Sequence, residues 1–201
     1  MLPECFLRLA KIYREHGFRL YIIGGTSRDI LLGIDPADFD FVTDATPEQE
    51  KEFLPEADYA FAKYGSIKIF DNGIEIDITT LREEGEYIDY RHPSYVRFIT
   101  SPERDSYRRD FTINALYVDE NSNILDFHGG MEDLKNKTIR FIGDPDERVK
   151  EDPLRILRAY RFQKRLDGFR FDPLTEAALK RNEGLLEKLN PEKVRLERNK
   201  E

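Results

Sequence analysis

Leu20 to Thr43, LYIIGGTSRDILLGIDPADFDFVT, is the stretch whose reading decides the fold. An apolar run, LYII, has the length and burial pattern of a strand and ends on Gly24-Gly25. Thr26 to Leu32 then reads as a short helix stopped by Gly33, and DFDFVT, residues 38–43, as a second strand. Asp38 and Asp40, at i and i+2 of an extended run, point to one face, where two carboxylates can hold divalent metal. A glycine turn at the start of a helix lets backbone N–H groups approach a phosphate. Strand, glycine turn, helix and acidic strand in this order imply a nucleoside triphosphate as ligand.

On the N-terminal side, Phe6, Leu9, Ala10 and Tyr13 recur at helical spacing, with Gly17 as the stop. On the C-terminal side, Thr46-Pro47-Glu48-Gln49 predicts an N-cap with proline at the first helical position. SIKIF and GIEIDITTL flank Asp71-Asn72-Gly73, a strong hairpin signal. TINALYV and ILDFH form a further predicted strand pair, and Arg82 to Tyr107 reads as a long charged loop. From Pro145 the pattern becomes helical, over 147–166, 173–188 and a fragment from Pro191. The expected class is α+β: a mixed sheet flanked by helices over residues 1–143, then a helical segment over 144–201.

Composition narrows the function. The 201 residues are 36% charged, with a mean hydropathy of −0.64. No apolar run approaches the roughly 20 residues a bilayer span needs, so no membrane role is expected. The single Cys5 excludes an internal disulfide and a cysteine-cluster metal site, which points to a reducing cytoplasm. A net charge of −8 argues against a protein that coats nucleic acid. That total hides an asymmetry. Residues 147–201 carry 15 Lys and Arg against 11 Asp and Glu, while the rest carries 17 against 29. A polyanion gripped near the C-terminal end and a solvated helical surface both fit this imbalance.

In GIEIDITT, residues 75, 77 and 79 share a face, so Asp77 can join Asp38 and Asp40 from a neighbouring strand. Three carboxylates repel unless cations sit among them, and two Mg²⁺ ions would relieve that repulsion. Arg28, in the first turn after Gly25, can meet phosphate oxygens bidentately or pair with Asp29. Arg108-Arg109 precede the word DFTINAL, and Glu151-Asp152-Pro153-Leu154-Arg155 opens a helix continuing through Arg158 and Arg161. Helical spacing makes Asp152 and Arg155 neighbours. An Asp acceptor beside an Arg donor matches the pairing edges of adenine and cytosine and opposes those of guanine and uracil; a plain i, i+3 salt bridge is the alternative. Tyr87, Tyr90 and Tyr95 can stack on bases or pack.

GGTSRDILLG with DFD, TTLREEGEYIDYRHP, RRDFTINAL, LDFHGGMEDLKNKTIRFIGDP and EDPLRILRAYRF follow one another over nearly all of residues 21–165. In this order they resemble the class II tRNA nucleotidyltransferases (CCA-adding enzymes) and the related bacterial poly(A) polymerases of the polymerase β superfamily. The resemblance implies a catalytic head and a helical neck. It implies that Asp38 and Asp40 hold Mg²⁺, with Asp77 as a third catalytic carboxylate. It places Gly24, Gly25, Arg28 and Arg109 on the nucleotide, Asp152 and Arg155 on the base edge, and Arg158 and Arg161 in support. The implied reaction adds C and A from CTP and ATP to the tRNA 3′ end with release of pyrophosphate. A poly(A) polymerase, a CC-only or A-only enzyme, and a non-catalytic nucleotide- or RNA-binding module are the alternatives. PEKVRLE, residues 191–197, is similar to a neck signature with Lys193 where arginine is usual, and the chain reads as a neck cut short, without body and tail.

Overall fold

The computed structural model describes residues 1–85 and 94–198. The part of TTLREEGEYIDYRHP from Glu86 onward, with Tyr87 and Tyr90, lies outside them. The chain divides into two compact units. The first is Met1–Glu84, Val96–Arg108 and Asn114–Phe127, and the second is built chiefly from Arg109–Ile113 and His128–Glu201.

The first unit is a six-stranded mixed sheet. Its strands are β1 (Leu20–Ile22), β2 (Phe39–Thr43), β3 (Ser66–Asp71), β4 (Ile74–Thr80), β7 (Leu116–Val118) and β8 (Ile124–Asp126). Their order is β3-β4-β2-β1-β7-β8. Only β2 and β4 run parallel; the other neighbours are antiparallel. Alternation divides the apolar side chains between two faces. Leu20, Ile22, Phe41, Ile67, Ile76 and Ile78 pack with Phe6, Leu9, Ala10 and Tyr13 of α1 (Glu4–Glu15). On the other face Tyr21, Ile23, Val42, Leu81 and Tyr117 form a second cluster. Helix α2 (Gly24–Leu31) follows β1 directly.

The turn signals act as expected. Asn72 and Gly73 both take positive φ, 51° and 82°, which sets the β3–β4 register. Thr46 and Gln49 close a capping box on α3 (Pro47–Phe53), with proline at its first position. The segment Arg82 to Tyr107 departs from the expected loop. It contributes the antiparallel pair β5 (Arg82–Glu84) and β6 (Val96–Phe98), then α4 (Pro102–Ser106). Buried Asp105 explains this order: it accepts from the Arg82 backbone N–H at 2.9 Å and from the Tyr117 hydroxyl at 2.7 Å. TINALYV also differs, being a 3₁₀ turn over Thr112–Asn114 before the short β7.

The second unit is mainly helical: α5 (Gly130–Lys135), α6 (Pro145–Glu151), α7 (Leu154–Arg165), α8 (Pro173–Asn182) and α9 (Pro191–Arg198). A small parallel pair, β9 (Thr138–Ile139) with β10 (Arg170–Phe171), joins them. The helix expected over 147–166 is broken in two. Proline disfavours α geometry in the residue before it, and Asp152, preceding Pro153, sits at φ −144°, ψ 93°. Likewise 173–188 begins as α8, with Asp172 capping Leu174 and Thr175, and ends as a 3₁₀ turn over Glu183–Lys188. Phe111 stacks on Phe141 at 4.7 Å and meets Phe162 edge-on at 5.6 Å within this unit.

Candidate active site

Parallel pairing of β2 with β4 puts Asp40 directly beside Asp77. Both sit on the sheet face opposite α1, the face Val42 and Thr79 also share by alternation. Asp38, two residues before Asp40, lies exposed at the mouth of β2. These carboxylates, with Ala37, Phe39, Gly73, Ile74 and Glu75, line an open cleft of about 590 Å³.

The glycine turn is built against this cleft. Gly24 takes φ 69°, and a Cβ there would meet Asp40 Oδ2 at 3.5 Å. Thr26, which sequence reasoning passed over, fixes the acidic pair by its backbone. Its hydroxyl donates to the Asp38 carbonyl at 2.9 Å and accepts from the Asp40 N–H at 2.8 Å. A threonine directly after a glycine pair, facing the next strand, is the available signal.

Asp77 has a cationic neighbour. Lys68 Nζ lies 3.4 Å from its carboxylate and also hydrogen-bonds Glu75. Glu75 first, then Asp77, hold the Lys68 ammonium above the ordinary lysine range against some desolvation. Lys68 was legible from the turn: a two-residue loop at Asn72-Gly73 sets Lys68 opposite Asp77. Among the described residues no three His, Cys, Asp or Glu side chains already converge as a metal cage. The donors still fit a hard divalent cation: oxygen only, on an open polar cleft, with Gly24 leaving space beside Asp40.

Arg28 lies deeper than its position in the first turn suggests. It is 1% exposed, with Nε and Nη2 on Asp29 Oδ1 at 2.8 and 2.6 Å and Nη1 on Asn114 Oδ1 at 2.9 Å. Its guanidinium lies under Gly25, 3.4 Å from where a Cβ would stand. The ion pair with Asp29 is therefore made, inside the protein rather than at its surface. Asn114, within RRDFTINAL, is the partner the sequence did not single out.

The second unit gathers the remaining candidates. Arg158 bridges Asp152 and Asp110, the latter at 3.3 Å. Arg155 donates to Glu151 and to the Arg148 carbonyl, each at 2.7 Å. Arg161 donates to Glu197 at 2.8 Å. Asp152 and Arg155 are 6% and 3% exposed. Asp152 and Arg155 are neighbours through the backbone, the Arg155 N–H donating to the Asp152 carbonyl at 3.0 Å, while the Asp152 carboxylate, standing outside the helix, takes Arg158 and caps Leu154. Burial pushes the Asp110 carboxyl up, but Arg158, Arg155, the Phe111 N–H and Arg148 outweigh it and hold Asp110 below its ordinary value. Arg109 is half-buried, its carbonyl held by Arg148 at 2.7 Å.

A mixed sheet with a glycine turn against paired carboxylates on in-register strands is the head of a nucleotidyltransferase. The profile of the poly A polymerase head domain matches residues 20–140. The chain belongs to that family, and the resemblance read from the motifs is borne out. It is 43% identical over 199 residues to a CCA-adding enzyme of Ligilactobacillus salivarius, covering 98% of this chain and 49% of that protein. To the Bacillus licheniformis CCA-adding enzyme it is 39% identical, covering 98% and 50%. Among solved structures, the Bacillus stearothermophilus CCA-adding enzyme in complex with CTP matches with TM-score 0.86 and 34% identity, over 98% of this chain and 48% of that one. The Thermotoga maritima CCA-adding enzyme complexed with tRNA matches with TM-score 0.74 and 33% identity, over 96% and 45%. The chain spans about half the length of the curated relatives it matches.

Proposed function

We propose that the protein adds C and A to the 3′ end of tRNA from CTP and ATP, without a nucleic-acid template and with release of pyrophosphate. The observation that carries this reading is Asp40 and Asp77 side by side on parallel strands, with Asp38 and the Gly24 turn at the same cleft. Residues 1–143 act as the catalytic head and 144–201 as the helical neck. The reaction belongs in the cytoplasm.

The terminal ribose hydroxyl attacks the α-phosphorus in line and pyrophosphate departs. Asp38 and Asp40 would hold Mg²⁺, which would supply positive charge to the phosphate oxygens. Asp77, its side chain 41% exposed and 3.4 Å from Lys68 Nζ, is the carboxylate offered to the proton of the incoming hydroxyl. Gly24 and Gly25 present backbone N–H groups to the triphosphate, and Arg28 braces that turn from beneath through Asp29 and Asn114. Asp152 and Arg155 read the base edge, with Arg158, Arg161 and Arg109 supporting the nucleotide.

The test is incorporation of labelled CMP and AMP into tRNAs lacking one, two or three terminal nucleotides. Stepwise completion that stops after C, C and A supports the proposal. An unlimited A tail indicates a poly(A) polymerase, addition of C alone or A alone a specialist enzyme, and CTP binding without any transfer ends the catalytic reading.

A further inference from the structure

In the second unit, the parallel pair β9–β10 shapes a cleft of about 550 Å³, and its charge is of the opposite sign to that of the acidic cleft. Lys135, Lys137, Arg140 and Arg170 line it, with Asp172 as the one acid. Arg140 is already neutralised, donating to Asp133 at 3.0 Å and to Asp172 at 2.7 Å. Lys137 Nζ donates to a backbone carbonyl, that of Asp167, at 3.2 Å, and has no carboxylate partner among the described residues. Among the described residues neither Lys135 nor Arg170 has a carboxylate partner, and both are exposed. Three uncompensated cations thus share one cleft on a chain whose net charge is −8.

Their placement is built into the backbone. Lys137 is one of the few non-glycine residues at positive φ, 52°, a conformation that costs an L residue about 1 kcal/mol. Gly168, at φ 75°, faces it, and a Cβ there would stand 3.0 Å from Lys137 Nζ. The pairing of Thr138 with Arg170 brings the two basic segments alongside each other. A ligand with regularly spaced negative charges suits such a cleft, since each contact releases counterions from the polyanion.

We infer that this cleft docks the phosphate backbone of the RNA whose 3′ end the protein extends, with Lys135, Lys137 and Arg170 as the phosphate contacts. The inference rests on the proposed reaction for the choice of RNA over an acidic peptide. Arg140 and Asp172 are the frame: their ion pair ties the end of β9 to the start of α8 and leaves the other cations free to face the ligand.

The experiment measures binding of a fluorescent tRNA lacking its terminal CCA to the chain between 50 and 300 mM KCl, set as a working range, by anisotropy. Lys135→Ala with Arg170→Ala is expected to weaken binding about tenfold at 0.1 M salt and to flatten the slope of log K against log salt by about 1.5, two phosphate contacts' worth. The charge-keeping pair Lys135→Arg with Arg170→Lys is expected to bind like the unsubstituted chain, and CTP affinity and melting temperature to stay unchanged in all. Equal affinity and slope in the alanine variant overturn the inference, as does a loss seen with polyglutamate but not with tRNA. Nucleotide transfer, assayed in parallel, separates the two ideas. Absent transfer with intact, salt-sensitive RNA binding defeats the proposed reaction alone, and transfer with unaltered RNA binding in the variant defeats this cleft alone.

Discussion

Glu50 offers a measurement of how strongly the head's core excludes charge. It sits in α3, fully buried, with one oxygen taking the Tyr13 hydroxyl and the other, Oε2, without a partner among the described residues. Around it Tyr13 and Phe53 meet edge-on at 5.1 Å. Burial pushes its carboxyl up to about 8, more than the Tyr13 hydrogen bond pulls it down. The sign follows from linkage. The unfolded chain ionises Glu50 near 4.5 while the folded one holds its proton to about 8, so ionisation favours unfolding throughout that window. Stability from this group is complete below pH 4.5 and is lost as pH rises toward 8. At about 1.4 kcal/mol per pH unit, tapering near pH 4.5 and pH 8, the loss between pH 5 and 8 is about 3–4 kcal/mol. Glu50→Gln keeps the shape and an acceptor for Tyr13 but removes the titration. Urea unfolding followed by circular dichroism should therefore show the variant gaining about 3–4 kcal/mol on the parent between pH 5 and 8, or roughly 6–16 °C in Tm. All other titrating groups are common to both proteins and cancel. Parallel pH profiles for the two would refute the argument.

The remaining predictions concern the site. Asp38→Ala with Asp40→Ala should lower nucleotide transfer by about a thousandfold or more, with an unchanged circular dichroism spectrum, because losing about 4 kcal/mol of electrostatic stabilisation costs that much rate. Gly24→Ala should cost about 1–2 kcal/mol in a denaturant titration, since φ there is 69°. Arg28→Ala removes the cation from buried Asp29 and should destabilise by about 3–5 kcal/mol, read from the unfolding midpoint. Asp152→Ala should reduce the preference in kcat/KM for CTP and ATP over UTP and GTP by roughly 10- to 100-fold, the worth of a hydrogen bond to a charged group. Unchanged base preference would remove Asp152 from the reading.

Most of the head was legible because its signals are local. Asn72-Gly73 fixes a register, the Thr46 box starts a helix, and alternation in GIEIDITT puts Asp77 on the face that parallel pairing then sets beside Asp40. What escaped reading depends on distant partners. Arg82 to Tyr107 shows no periodicity because its order comes from Asp105 anchoring Arg82 and Tyr117, contacts no sequence window contains. The depth of Arg28 was not legible because, beside adjacent Asp29, its other acceptor, Asn114, lies 86 residues away. The break at Asp152 was local and still missed: helical periodicity on both sides of Pro153 concealed it.

That break bears on how the base would be read. Asp152, released from helical geometry, caps α7 with one carboxylate oxygen and takes Arg158 on the other, while Arg155 turns to Glu151. Both groups proposed to face the base edge therefore already engage charged neighbours, Asp152 with Arg158 and Arg155 Nη1 with Glu151, and both are nearly buried. Presenting them to a nucleotide exchanges charge-assisted hydrogen bonds for new ones of similar strength, so the net gain on binding any one base is small. Discrimination then comes from the mismatch: a guanine or uracil edge offers Asp152 an acceptor where it needs a donor, and the original partners are given up with nothing in return. On the proposed assignment, a pair engaged in this way favours modest nucleotide affinity with strong base selection, which is what the proposed choice of C or A without a nucleic-acid template requires.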